Sequence, residues 1–370
     1  MIDMIGLGLI IPSLPNIMRR FFSDELSVSH YYGYFIAVYA LMQFLAAPLL
    51  GVLSDLFGRR PVLLISLFIA ACDYVLMAFA PSVEILFVGR VIAGLTGANM
   101  TVAMAYIADV STNKNRAANF GLVGAAFGLG FIIGPAIGGL LGDFGPHYPF
   151  LVASVLNLTN FLYGLFVLPE SLPIEKRKPF SHKKINPFHS LKHVITSGVG
   201  IAFLAVHFLF QLAGQTHPSI WTLYTQTRFD WSTAQVGASL AVVGILSAVA
   251  QGGLTRVIVP KLGDAKTVLI GAFGYAITYA LFGWATQGWM MYAILVFSAI
   301  FWVTPPALQS LISQNTPSHE QGELQGSLMS LTSLASIINP LVTTQLFGYF
   351  VGAPYFFAGA ICAIGGLIML

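Results

Sequence analysis

The sequence predicts an all-α integral membrane protein of twelve transmembrane helices in two six-helix pseudo-repeats. Three observations carry that prediction. The 370 residues are 56% hydrophobic and only 8% charged, with a mean hydropathy of +0.81, whereas a soluble domain carries about 25% charged residues. Apolar runs of about 20 residues, each able to cross a hydrocarbon core about 30 Å thick, recur along the whole chain. One long polar stretch, Pro169 to His193, divides them into two sets. Backbone groups in lipid must bond internally, so the spans are helices.

The first span lies near 1–20. Met1 sits almost directly against Asp3, as though the span were clipped, and no basic segment or small-residue cleavage site marks a signal peptide. The second and third spans, near 31–53 and 60–80, flank the polar turn in GVLSDLFGRRPVLL. The fourth, near 85–108, contains VGRVIAGLTGA, and the fifth, near 117–141, contains the glycine-rich run GLVGAAFGLGFIIGPAIGGLLG. The sixth, near 148–168, completes a first half over 1–168. Prolines, charges and histidines make 169–194 a cytoplasmic linker. The second half, 195–370, has spans near 195–216, 236–256, 266–286, 289–312, 323–347 and 353–370, the last ending in mid-hydrophobic run at Leu370. Cys72 and Cys362 both fall within spans, so no disulfide framework is indicated.

Charge gives the orientation. Of the seventeen Lys and Arg, all except Arg19, Arg20, Arg90 and Arg228 fall in cytoplasmic loops or span ends when both termini are cytoplasmic. Basic loops of this kind are a topology signal and no nucleic-acid surface. The short loops leave no room for a folded soluble domain. At an offset of 205 residues Gly58 aligns with Gly263, Gly121 with Gly326, and Gly134-Pro135 with Asn339-Pro340, which points to an ancestral duplication. Parallel six-helix repeats of this kind bind substrate between the halves near the membrane midplane.

Ionisable groups inside spans are costly and read as functional. Asp3, Asp73 and Arg90 are the candidates, with Asp109 at the cytoplasmic end of the fourth span; the second half has no acidic residue deep in a span. A carboxylate in a partly dry cavity can gain and lose a proton near neutral pH, as a proton-coupled carrier requires. Structural readings stand beside these. Asp3 fits a helix cap at the headgroups, Asp73 a polar packing contact, and Arg90 a snorkelling residue.

The loop between the second and third spans has a switch's composition. Gly51 allows close helix approach, Gly58 suits a turn needing positive φ, and Asp55 can face a helix N-terminus or an Arg. With Arg59 and Arg60 these contacts would form in one access state and bias a two-state equilibrium; a solvated turn with topogenic arginines is the plainer reading. Gly130, Gly134, Pro135, Gly138 and Gly139 complete G-x-x-x-G-P-x-x-G-G in the fifth span, where small residues permit close packing and Pro135 can kink the helix. His207, Gln211 and Gln215 share one face of the seventh span, with His217 beyond. Gln211 and Gln215 are cavity-lining candidates; Gln251, Gln309 and Asn339 add polar groups. Trp221, Phe301 and Trp302 read equally as aromatic walls or interfacial anchors.

The polar turn resembles the loop 2–3 signature of the major facilitator superfamily, G-x-x-x-D-x-x-G-R-R. Within it the chain is similar, essentially end to end, to the tetracycline/proton antiporter family. The likeness rests on DMIGLGLIIPSLP, YALMQFLAAPLLGVLSDLFGRRPVLLISL, DYVLMAFA, GRVIAGLTGA and FGLGFIIGPAIGG in the first half. In the second it rests on FQLAGQ, TRFDWSTAQVGASLA and PALQSLISQNTPSHEQGELQGSLMSLTSL. The resemblance implies transport roles for Asp3, Asp73 and Arg90, switching roles for Asp55 and Arg59, and an antiporter signature in the helix 5 motif. It implies export of tetracycline as a divalent metal complex in exchange for a proton. The implied partners are a small-molecule drug, protons and the bilayer of the inner (plasma) membrane. The resemblance implies no resident cofactor or metal and a monomer as the working form. The pattern departs in two places. The family's acidic residue in helix 9 is absent from GAFGYAITYA, and its helix 8 histidine is replaced by Ser247, so coupling falls to Asp3, Asp73 or a histidine.

Other classes stay open on the residues alone. A same-fold multidrug or metabolite transporter, symport included, shares most of these features, although the helix 5 motif favours antiport. An intramembrane enzyme would want G-x-G-D beside Y-D, or H-E-x-x-H; neither occurs, and His319-Glu320 is followed by Gln and Gly. A receptor or scaffold has no need of intramembrane carboxylates.

Overall fold

The computed structural model describes residues 1–112, 115–177, 179, 201–316 and 321–370, with the side chains of 117, 322 and 323 left out. Most of the linker expected over 169–194, the start of the span at 195–216, and Lys114, Lys178, Lys183, Lys184 and Lys192 lie outside the described residues. Among the described residues every regular element is helical.

In chain order the helices are α1 (Ile2–Met18), α2 (Glu25–Phe57), α3 (Arg59–Ala78), α4 (Val83–Asp109), α5 (Arg116–Phe144) and α6 (Tyr148–Val167). Then follow α7 (Ile201–Gly214), α8 (Thr216–Phe229), α9 (Thr233–Leu262), α10 (Asp264–Trp284), α11 (Gly288–Gln314), α12 (Gln321–Tyr349) and α13 (Ala353–Ile368). Nine helices among the described residues are long and apolar enough to cross a membrane, and α1 and α13 are shorter apolar helices. Large apolar side chains such as Phe144 and Phe166 are exposed, as lipid-facing residues should be.

The seventh span differs from its expected bounds. Helix α7 stops at Gly214 and a further helix, α8, carries on through Phe229. Pro218 in the first turn of α8 cannot donate to the carbonyl four residues back, which separates the two segments. The sequence THPSIWTLYTQTRF is too polar to read as a span, yet Thr216, Ser219, Thr222 and Thr225 are all buried. Thr225 Oγ1 returns its hydrogen bond to the carbonyl of Trp221 at 2.9 Å, so the polarity is absorbed inside the helix.

The duplication is registered in the helix bounds. Helices α3 and α10 begin at Arg59 and Asp264, and α4 and α11 run over Val83–Asp109 and Gly288–Gln314. Helices α5 and α12 have 29 residues each, starting at Arg116 and Gln321, and each holds a proline, Pro135 and Pro340. All of these pairs share the offset of 205 residues. The loop glycines match too: Gly58 has φ 102° and Gly263 φ 77°, a left-handed conformation that only glycine adopts at little cost.

The chain packs as two compact units. One comprises Met1–Ser23, Val38–Pro187 and Ser232–Ala241; the other comprises Asp24–Ala37, Phe188–Trp231 and Val242–Leu370. Two of their borders fall inside helices, in α2 and in α9. In the first unit α1 lies on α5 and α6, and α3 on α6 and α4. The core of the second is built by Phe210 of α7, Val268 and Ala272 of α10, Leu308 and Ile312 of α11, and Leu328 of α12.

Candidate functional site

Four helices of the first unit bring together the charged groups of the spans. Asp73 of α3 is buried, at 3% exposure, and its Oδ1 has no hydrogen-bond partner among the described residues. Arg90 of α4, also buried, acts on Asp73 through its charge and lies over the ring of Tyr39 of α2, 4.5 Å from guanidinium carbon to ring centroid. Such a cation–π contact is strengthened by desolvation. Asp3, half-buried in the first turn of α1, has Asn99 of α4 within hydrogen-bonding reach. Both open on a cavity of about 420 Å³ walled by α1, α3, α4, α5 and α6, whose other polar groups are Asn119, Asn160 and Tyr163.

The glycines of GRVIAGLTG make this arrangement possible. A Cβ at Gly89 would stand 2.5 Å from Met77 Cγ and 3.0 Å from Asp73 Oδ1, so glycine is what lets α4 close on α3. A Cβ at Gly94 would meet Met42 at 2.6 Å, and one at Gly97 would meet the Tyr39 hydroxyl at 2.7 Å. Three glycines at three- and five-residue spacing thus seat α2 and α3 against α4. The snorkelling alternative for Arg90 does not hold, since its guanidinium is buried over Tyr39. Tyr39 and Asn99 are members of the cluster that sequence reasoning missed; the glycine spacing around Arg90 was the signal available.

The polar turn forms a second, connected assembly. Arg59 pairs with Asp55 at 2.7 Å and with Asp109 at 3.2 Å, and its Nη1 donates to Ser54 Oγ at 2.6 Å. Ser54 in turn donates to the carbonyl of Gly51 at 2.8 Å. Arg60 Nη2 reaches the carbonyl of Leu165 at 2.6 Å, tying α3 to the end of α6. The positive φ expected at Gly58 is present, whereas Gly51 differs from expectation: nothing lies within 4 Å of a Cβ built there, so close helix approach is not its reason.

The glycines of α5 divide by position. Gly121, Gly124 and Gly128 face open space. A Cβ at Gly130 would press on Met4 at 2.5 Å, and one at Gly134 would meet Gly8 at 2.8 Å. Gly138 abuts the carbonyl of Leu9, and Gly139 and Gly142 meet α9 at Thr233. Pro135 packs on Gly8. The motif therefore clasps α1 on one side and the first turns of α9 on the other, and Asp143 accepts from Ser232 Oγ and Ala234 N to cap α9.

Gln211 and Gln215 belong to the second unit. Gln211 bonds Thr332 Oγ1 of α12, and Gln215 sits at the break between α7 and α8. Asn339 is buried and bonds the Leu212 carbonyl and Thr216 Oγ1 at 2.7 and 3.0 Å, and so braces that break. His217 is enclosed by Trp221, Tyr279, Phe282 and Tyr355 with ring centroids 4.9–5.6 Å away. Where the first half has Asp73, the second has Thr278, which bonds back to Tyr275. Among the described residues the buried Asp and Arg side chains lie in the first repeat.

Buried intramembrane charges, a loop held by ion pairs and hydrogen bonds, and a doubled six-helix plan are the parts of a carrier. The profile of the Major Facilitator Superfamily matches residues 1–340 and 258–370. The chain belongs to that superfamily. The Tetracycline resistance protein, class C, of Escherichia coli is 44% identical over 346 residues, covering 94% of this chain and 87% of that protein. The class G protein of Vibrio anguillarum is 42% identical over 372 residues, covering 100% and 93%. The crystal structure of the human organic anion transporter MFSD10 (TETRAN) shares the fold with a TM-score of 0.72 at 23% identity, covering 100% of this chain and 96% of that one. The protein is a multi-pass transporter of the Major Facilitator Superfamily and not an enzyme.

Proposed function

We propose that the protein exports tetracycline, carried as a divalent metal complex, in exchange for a proton. The observation that carries this reading is the buried Asp73 with an unpartnered carboxylate oxygen, held beside Arg90. A proton arriving on Asp73 would weaken its attraction to Arg90, and that is how protonation alters the helix packing around the site. Asp3 and Asn99, on the cavity, are the groups placed to meet substrate. Asp55, Gly58, Arg59 and Arg60 form the switch that favours one access state; Gly130, Gly134, Pro135, Gly138 and Gly139 clasp the moving helices. Gln211 and Gln215, near the break between α7 and α8, line the substrate path. The protein acts as a monomer in the inner (plasma) membrane with both termini cytoplasmic, needs no resident cofactor, and draws on the proton gradient. Likeness to tetracycline resistance proteins over nearly the full chain supports the substrate.

The test is tetracycline accumulation in efflux-deficient bacteria expressing the chain, with and without a protonophore. Low accumulation that rises when the gradient collapses is expected. Unchanged accumulation, with the protein verified in the membrane, overturns tetracycline as substrate. A second reading, export of another amphipathic drug, is favoured by one observation: α10 carries no carboxylate beyond Asp264 in its first turn.

A further inference from the structure

The start of the linker is built into the loop switch. Helix α3 opens with an awkward N-terminus. Its N-cap is Gly58, which has no side chain to offer and whose φ of 102° excludes the usual capping residues. Its first two residues, Arg59 and Arg60, place cations at the positive end of the helix dipole. The missing acceptor comes from 111 residues further on. Glu170 Oε1 accepts the Arg59 N–H at 2.9 Å and Oε2 the Arg60 N–H at 3.2 Å. The same Oε1 accepts from the amides of Ser171 and Leu172 at 2.9 and 3.0 Å, which folds residues 170–172 around the carboxylate. A Cβ on residue 58 would collide with this carboxylate, a second reason for glycine there.

The contact extends to the ion pairs. Ser171 Oγ donates to Asp109 Oδ2 at 3.2 Å, the oxygen that Arg59 Nε also reaches at 3.2 Å. Tyr106 Oη donates to the carbonyl of Pro169 at 3.0 Å. Lifting residues 169–172 away would strip two helix amides of their acceptor, remove a carboxylate from the N-terminus of α3 and loosen Asp109 in one step.

We propose that Glu170 is a positioning residue of the switch: it caps α3 in one access state and releases it in the other, so that the linker takes part in the change of access. This rests on the reading of the loop as a switch, given above. Loss of a cap and its charge corresponds to roughly a tenfold shift in a two-state equilibrium. Glu170→Ala should lower export turnover about tenfold with KM changed less than about twofold. Glu170→Gln, which keeps one acceptor oxygen and loses the charge, should fall between. Spin labels on Arg116→Cys and Lys261→Cys, both exposed, in a Cys72→Ser/Cys362→Ala background, should show the two distance populations redistributed about tenfold by Glu170→Ala.

Normal turnover, a loss confined to KM, or lost turnover with unchanged label populations overturns the proposal, the last because a static cap would behave so. If Glu170→Ala does not reach the membrane, Glu170→Gln carries the same two readouts. The label experiment needs no substrate. A chain that exports no tetracycline yet shows the Glu170-dependent redistribution keeps the switch and loses the export reading; normal export by Glu170→Ala does the reverse.

Discussion

Gln314 Nε2 donates a 2.8 Å hydrogen bond to Asp264 Oδ2, and 205 residues earlier Arg59 Nε donates one of 3.2 Å to Asp109 Oδ2. The positions correspond in the repeat, and donor and acceptor have exchanged sides. In the first half the residue after the positive-φ glycine donates and the end of α4 accepts. In the second the residue after Gly263 accepts, from the end of α11 and also from Ser310 Oγ at 2.8 Å. Both loops are latched to the same helix terminus, one by a charge pair and the other by a carboxylate with neutral donors. Asp264 in the first turn of α10 also suits the helix dipole.

The exchange makes a swap testable. Asp264→Arg leaves Ser310 and Gln314 facing a cation, and Gln314→Asp sets two carboxylates together; each should lower the melting midpoint of the purified protein. The double variant restores the first-half pairing and should recover most of that loss. The pair is partly exposed, so each effect is about 1 kcal/mol or less. Strict additivity of the two losses would show that the residues do not act on each other.

The glycines of α5 separate into two classes by what they touch. Gly138→Ala drives a methyl group into the backbone of α1 at Leu9, and overpacking of this kind costs about 1–3 kcal/mol. Gly124→Ala meets nothing within 4 Å and should be neutral or stabilising by up to about 1 kcal/mol through helix propensity. Thermal unfolding of the two variants in detergent measures the contrast. Equal destabilisation would mean that glycine is needed for flexibility along the whole stripe.

Much of this was legible in the sequence. The spans, the duplication at one offset, the positive φ at Gly58 and the partners of Arg59 in the loop all follow from local patterns. Helix α8 was hidden because its hydroxyls find partners inside the protein, Thr225 at the Trp221 carbonyl, Tyr224 at the Phe282 carbonyl and Thr216 at Asn339, so its polarity does not predict exposure. Tyr39, Asn99 and Glu170 were hidden for a different reason. Each reaches its partner from a segment distant in sequence, and a tyrosine or glutamate that meets an arginine only after folding leaves no spacing to read. Gly51 was misread because glycine next to a turn suggests crowding, whereas its neighbourhood is open.

Gly89 tests whether the Asp73 site tolerates any displacement. Alanine there improves helix propensity by about 1 kcal/mol, yet its methyl group must displace Met77 and the Asp73 carboxylate. Gly89→Ala should reach the membrane and lose at least tenfold in gradient-dependent efflux. Gly89→Ser should lose no less, being larger. Full activity of the alanine variant would place Asp73 outside the working site.

The two carboxylates can be told apart by how efflux fails. Asp73→Asn fixes the neutral form beside Arg90, so that protonation no longer changes the charge at this site. Substrate should still bind, and exchange of substrate across the membrane without a gradient should continue, while uphill export stops. Asp3→Asn removes a charge that opens on the cavity, so binding should weaken and both exchange and uphill export should fall together. Both variants should leave the protein in the membrane. Transport in proteoliposomes, with and without an imposed pH gradient, reads the difference. If Asp3→Asn alone abolishes the gradient dependence and Asp73→Asn does not, the proton is carried on α1, and Asp73 serves to hold Arg90 over Tyr39.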